Sequence, residues 1–327
     1  MTESFDPVLC RQLGEVTSAL SEVASATELR AEIADALGLP GVARSDLYRL
    51  FIKDLPPFAS IYLSADGNIG GDSQAVISGI YRALGVPVPN DPDHLSSLFA
   101  LLSQILVAEA KSIENGSEPE LSSVVRTRQV LVNDHLLTWL PAYLISAIRV
   151  APQPLSNWVS LCWDALRLLS PPAEAPGPKD REVCLDQVDN LAKLIDFLTT
   201  PSKSGIILTL SDIETISTEI GLAVRAGTKR MVLKDVFLTE PEGFSEKVEA
   251  LIRRQISDYI SATAEFSYLD ALVASAQSAE PTMKIKNPNS YIRTLPNMSP
   301  SFPTWVESRV IVKRYPIITQ ITAERAT

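Results

Sequence analysis

The sequence predicts an all-α helical bundle. Three observations carry that prediction. Apolar residues recur at three- and four-residue spacing through most of the chain. Alternating strand patterns are scarce. Proline and glycine punctuate the apolar stripes where helices have to stop.

Taken in order, Leu13, Val16, Leu20 and Val23 mark a first helix, which Ile33 and Leu37 continue after Thr27 until Pro40-Gly41 ends it. A second runs from Asp46 to about Lys53 and is stopped by Pro56-Pro57. Val76, Ile77, Ile80, Tyr81 and Leu84 make a third, closed by Gly85. Leu98, Leu101, Leu102, Ile105 and Leu106 make a fourth, with Asp91-Pro92-Asp93 supplying capping carboxylates ahead of it. Leu131, Val132, His135, Leu136, Trp139 and Tyr143 make a fifth, kinked at Pro141, and Trp158, Cys162, Leu166 and Leu169 a sixth.

Residues 170–179 read SPPAEAPGPK, a linker composition. Helical spacing resumes with Leu185, Val188, Leu191, Ile195 and Leu198. A loop is expected at 199–205 (TTPSKSG), then a helix capped by Ser211 with Glu214 reaching back. A long amphipathic helix follows from Phe244 to about Leu272. The stretch 281–327 has no helical stripe, and its segment 309–322 (RVIVKRYPIITQIT) is β-like but contains Pro316. The expected organisation is a helical core over 1–170, a linker over 171–180, a helical region over 181–280 and an extended tail over 281–327 that packs on the body or on a neighbour.

Composition narrows the function. Of 327 residues, 29 are Lys or Arg and 39 Asp or Glu, a net charge of -10. Neutralising a phosphate backbone needs clustered cations, so no nucleic-acid partner is expected. Cys10, Cys162 and Cys184 form no CxxC pair, which argues against a disulfide scaffold and a four-cysteine zinc site and fits a reducing cytosol. The acidic N-terminus is unlike a secretory leader. The most apolar stretch, 131–150, holds Asp134, His135, Pro141 and Arg149, so no transmembrane segment is expected.

Familiar catalytic patterns are missing. His94 and His135 sit in neither HxxxH nor HExxH. Each follows an aspartate, but adjacent helical residues do not face each other. His135 reads as a half-buried imidazole beside Leu131 and Trp139, and His94 as an anchor at a helix start. The glycine-rich Asp66-Gly67-Asn68-Ile69-Gly70-Gly71 lacks the lysine of a phosphate loop and reads as a tight turn between helices. No GxSxG is present.

Four motifs in one order go further. Tyr48-Arg49-Leu50-Phe51 precedes Leu55-Pro56-Pro57-Phe58-Ala59-Ser60-Ile61-Tyr62-Leu63, with Asp66-Gly67 and Gly70-Gly71 after it. Tyr81-Arg82-Ala83-Leu84-Gly85, then Pro92-Asp93-His94-Leu95, then His135-Leu136-Leu137 with Trp139-Leu140-Pro141 complete the set. Over about residues 44–170 this resembles the TorD/DmsD/NarJ family of cytosolic chaperones for molybdenum oxidoreductases. The sequence departs from the family in having Pro89-Asn90-Asp91 where a Glu-Pro often opens the hinge signature. It is also longer, with C-terminal helices and a tail beyond the family core.

The resemblance implies a TorD-like all-helical fold, a cytoplasmic location, and a chaperone that is not an enzyme and carries no cofactor or metal. Its partners would be a molybdopterin oxidoreductase catalytic subunit and that subunit's twin-arginine signal peptide, held until cofactor insertion. The matching positions are Asp93, His94, Tyr48, Phe51, Pro57, Tyr62 and Trp139. Asp93 and His94 either recognise the partner or build the hinge. Tyr48, Phe51 and Trp139, aromatics at helical spacing, are expected to pack inward. An apolar groove with acidic rims suits a cationic, apolar leader, and the net charge has the right sign. A homodimer by helix swapping across 87–92 is also implied. Two other classes stay open: a helical adaptor without an oxidoreductase client, and an enzyme using Asp93 and His94 as acid and base.

Overall fold

A computed structural model of the chain describes residues 5–170, 191–266 and 269–279. These fall in two units, each with its own core. Among the described residues every regular element is helical. The linker at 171–180 and the tail at 281–327 lie outside the described residues, as do Cys184, Leu185 and Val188.

The first unit begins with α1 (Pro7–Ser25). Asp6 caps it by accepting from the backbone N–H of Val8 and Leu9, and Pro7 fills the first helical position, where no N–H is needed. The expected continuation through Ile33 is a separate short helix, α2 (Ala31–Leu37), ended by Gly38 in the left-handed region. Next come α3 (Arg44–Tyr48) and a π-helical turn over Arg49–Asp54, then α4 (Ala59–Leu63) and α5 (Asp72–Ala83). The central helix is α6 (Leu95–Asn115), followed by α7 (Glu118–Val130) and a second π-helical turn, Leu131–Leu136. The unit closes with α8 (Leu140–Val150) and α9 (Ser156–Leu169).

The core lies between α1 and α6, which pack along their length. Leu13, Leu20, Leu98, Leu102 and Leu106 are fully buried there. Each such side chain contributes about 2 kcal/mol by leaving water. Gly14 permits the close approach: a Cβ at that position would sit 3.4 Å from both Ser103 O and Val107 Cγ2, and the Ser103 hydroxyl donates to Gly14 O at 2.7 Å. By length and composition α6 is apolar enough to cross a membrane, yet half of that window is buried inside the unit. It also carries Glu109, fully buried, which accepts from Arg128 Nε of α7 at 2.7 Å.

The expected fifth helix is corrected in this unit. Pro141 does not kink a helix; it stands in the first turn of α8, because the second π turn ends the preceding segment and Trp139 restarts the chain outside helical angles. The apolar stretch 131–150 is therefore two elements. Helix α7 has no apolar stripe to announce it: only Val125 and Arg128 on it are buried.

The second unit holds α10 (Leu191–Thr199), α11 (Pro201–Ser204), α12 (Leu210–Glu219), α13 (Lys229–Thr239), α14 (Pro241–Ala262) and α15 (Leu269–Ala279). Leu194, Leu198, Ile213, Leu233, Phe244, Val248 and Ile252 form its core. The cap of α12 is two residues earlier than expected: Thr209 and Asp212, not Ser211 and Glu214, form the capping box. The same S/T-x-x-D/E spacing occurs twice, and burial of Ile206–Leu208 starts the helix at the first. The expected loop at 199–205 contains the short α11. The helix read from Phe244 to Leu272 breaks after Ala262 and resumes as α15. Gln255 replaces ladder partners for the extended 206–208 segment: its side chain accepts from Ile207 N–H at 3.0 Å and donates to Ile207 O at 2.8 Å.

Candidate functional site

The Pro56–Phe58 segment and the 91–95 segment cross in the first unit. Ala59 N–H donates to Asp93 O at 3.0 Å and Leu95 N–H to Pro57 O at 2.8 Å. This makes a single antiparallel bridge between Phe58 and His94, whose rings meet edge to face at 4.7 Å. Two prolines before Phe58 remove competing donors and favour the extended conformation such a bridge requires.

Asp93 is completely buried. Its Oδ2 accepts from Ser60 N–H at 3.2 Å and from the Ser60 hydroxyl at 2.6 Å. Its Oδ1 is buried with no hydrogen-bond partner among the described residues. Ser60 Oγ in turn accepts from Gly70 N–H at 3.0 Å. The glycine-rich turn is thus tied to the crossing through one hydroxyl. Gly67, Gly70 and Gly71 all have positive φ there, where a side chain would be strained.

His94, not an aspartate, caps α6. Its Nδ1 accepts from Ser96 N–H at 3.2 Å and lies 2.6 Å from Ser96 Oγ. A ring nitrogen that accepts carries no proton, which puts the neutral ring's proton on Nε2. Burial lowers the His94 pKa, while the charges of Asp91 and Asp93 oppose that shift. The Asp93 carboxylate serves Ser60 and the imidazole serves Ser96, so the neighbours are not joined as an acid–base pair. His135 is half-buried as expected, and burial lowers its pKa too.

An aromatic cluster braces the crossing from the other side. Tyr62 stacks on Trp139 at 5.3 Å, and Tyr143 meets both edge-on at 5.5 Å. The Tyr62 hydroxyl donates to Pro56 O at 3.0 Å and that of Tyr143 to Leu55 O at 3.1 Å. Burial pushes both phenols well above their ordinary pKa, so they stay donors.

A groove of about 460 Å³ opens beside the crossing. Its wall includes Tyr48, Phe51, Ile52, Pro57, Phe58 and His94. Phe51 is buried against Trp158 at 5.0 Å, but Tyr48 is 61% and Ile52 62% exposed. Inward packing, expected for Tyr48, does not occur. The buried stripe is Leu47, Leu50, Phe51 and Asp54, and positions 48 and 52 stand on the opposite face, one turn apart.

Of the seven residues singled out in the sequence, the structure brings Tyr48, Phe51, Pro57 and His94 to the groove. Asp93, Tyr62 and Trp139 lie behind it as buried supports. Sequence reasoning passed over Ile52, Phe58 and Ser60. Ile52 was detectable as an apolar residue off the stripe, and Phe58 as an aromatic after two prolines. Ser60 had no local signal, because its partners are ten and 33 positions away. Among the described residues no group of three or more His, Cys, Asp or Glu side chains is placed to hold a metal ion.

Residues 12–144 match the sequence model of the family described as "Nitrate reductase delta subunit". Two curated relatives, both named "Chaperone protein TorD", come from Vibrio cholerae serotype O1, of the El Tor Inaba and Classical Ogawa strains. They are 28% and 27% identical over 143 residues, covering 41% of this chain and 59% of each relative. Over residues 12–144 the chain is similar to the TorD/NarJ family. All seven selected residues lie inside that match, and the second unit lies outside it. No solved structure matches the chain.

Proposed function

We propose that this chain is a cytosolic maturation chaperone that holds a molybdopterin oxidoreductase catalytic subunit, through its twin-arginine signal peptide, its apo form or both, until cofactor insertion. The observation that carries the reading is the groove: exposed Tyr48 and Ile52 stand over buried Phe51 and Pro57, inside the region that matches the family. A helical or extended apolar peptide gains affinity by filling such a groove. Tyrosine is among the residue types enriched at interface hot spots. Asp93 and Ser60 act behind the groove as positioning residues that fix the crossing from which His94 is presented. The family relation to chaperones named TorD supports the class of function.

The test is calorimetric titration of the full chain with twin-arginine leader peptides from its own organism, beside Tyr48→Ala and Ile52→Ala. Binding by the wild type, weakened about tenfold or more by Tyr48→Ala with little loss of stability, is the expected result. No binding to any leader and no co-purifying apo-enzyme would overturn the proposal.

A further inference from the structure

Charge is unevenly divided along this chain. Residues 281–327 hold seven Lys or Arg against two Asp or Glu, a net +5. Residues 1–280 hold 22 against 37, a net -15. Within the first unit, residues 5–170 have 11 basic and 18 acidic side chains. At the groove itself the wall holds one acid, Asp91, and one cation, Arg44, with Glu28, Arg49 and Lys53 next to wall residues, so the attraction comes from the acidity of the unit as a whole.

The cationic stretch also has the composition that the groove fits. In 309–322 the basic residues Arg309, Lys313 and Arg314 precede an apolar run of Tyr315, Ile317, Ile318 and Ile321. A basic pair followed by an apolar run is the chemistry proposed above for a leader peptide. Tyr315 and the isoleucines complement a wall of Tyr48, Phe51, Ile52 and Phe58. The 30 residues from Ala279 to Arg309 can span roughly 100 Å when extended. A segment tethered to the same chain competes with a free peptide at an effective concentration set by its linker.

We propose that residues 309–322 of this same chain dock in the groove of the first unit and act as an internal competitor for the peptide it receives. The word competitor rests on the chaperone reading, whereas the docking itself does not. The contact is apolar at the groove and electrostatic along its approach, so salt weakens it.

The test is photo-crosslinking of the full chain carrying benzoylphenylalanine in place of Ile52, at low micromolar concentration, with the products mapped by mass spectrometry. The expected result is a crosslink within one chain to the 315–321 region. It should fall about fivefold or more when Arg309, Lys313 and Arg314 are all changed to Glu. The same probe in place of exposed Val8, at the far end of α1 from the groove, should not capture the tail. Crosslinks that miss 309–322, a product of two chains, equal capture from Val8, or no response to charge reversal would each overturn the proposal. None of these outcomes depends on a leader peptide. Failure here leaves the chaperone reading standing, and failure of the peptide titration leaves the docking standing.

Discussion

Each unit anchors a non-helical segment among its helices, and the two anchors use different chemistry. In the second unit a neutral amide, Gln255, satisfies both the N–H and the C=O of Ile207. In the first, a carboxylate, Asp93, satisfies Ser60 with one oxygen and leaves the other buried and unpartnered among the described residues. The amide anchor is complete, which suits a purely structural joint. The carboxylate anchor keeps an uncompensated acceptor, a cost that a fold optimised only for stability would shed. It lies directly behind the groove wall. Other buried polar atoms share that condition, among them Thr200 Oγ1 and Ser217 Oγ in the second unit, but the one on Asp93 belongs to the support of the candidate site.

The largest effect should come from breaking the complete anchor. Gln255→Leu removes two buried hydrogen bonds from the Ile207 backbone and should cost about 3 kcal/mol. Hydrogen exchange of the Ile207 amide would report it, and unchanged protection would show that the joint does not depend on the amide. Asp93→Ala should cost about 2 kcal/mol, less than the amide because the carboxylate's own unpaired oxygen leaves with it. Exchange should accelerate at Ser60 and at Gly70, two steps along the same chain of bonds. Acceleration at Ser60 alone would sever the link between the glycine turn and the crossing.

The smallest effect is pH-dependent. Burial holds His94 and His135 below the ordinary histidine value of 6.5, so the folded chain prefers both neutral. As pH falls, the unfolded chain takes up protons first. The stability this contributes is full above 6.5 and is lost as pH drops through that value toward the folded ones. His94→Asn keeps a capping acceptor and removes one titrating ring. Urea midpoints should then match wild type at pH 8 and fall less steeply below 6.5. An unaltered slope would mean that His94 does not contribute.

Local patterns made much of the helical fold legible. The 13/16/20/23 stripe marked α1, and Gly85 marked the end of α5. Helix α7 was illegible because it is held by one buried ion pair, Arg128 with Glu109, rather than by an apolar face. The shift of the α12 cap followed from tertiary burial of Ile206–Leu208, which no local rule encodes. At the site, the motif residues were visible as types but their roles were not. Tyr48 and Phe51 read alike in sequence, yet one lies outside and the other inside. The Asp93–Ser60–Gly70 chain joins three segments that only folding brings together.

The single rung between Phe58 and His94 divides the groove mechanically. Both of its residues belong to the wall, and two backbone hydrogen bonds between their chain neighbours, Ala59 to Asp93 and Leu95 to Pro57, hold them side by side. Those two wall residues therefore move together or not at all. The lip, Tyr48 and Ile52, is free to change rotamer without breaking any backbone bond. Depth and register are cast in the rigid part. Tolerance for different occupants resides in two swinging side chains, so substitutions at 48 and 52 alter what the groove accepts, while those at 58 and 94 alter whether there is a groove.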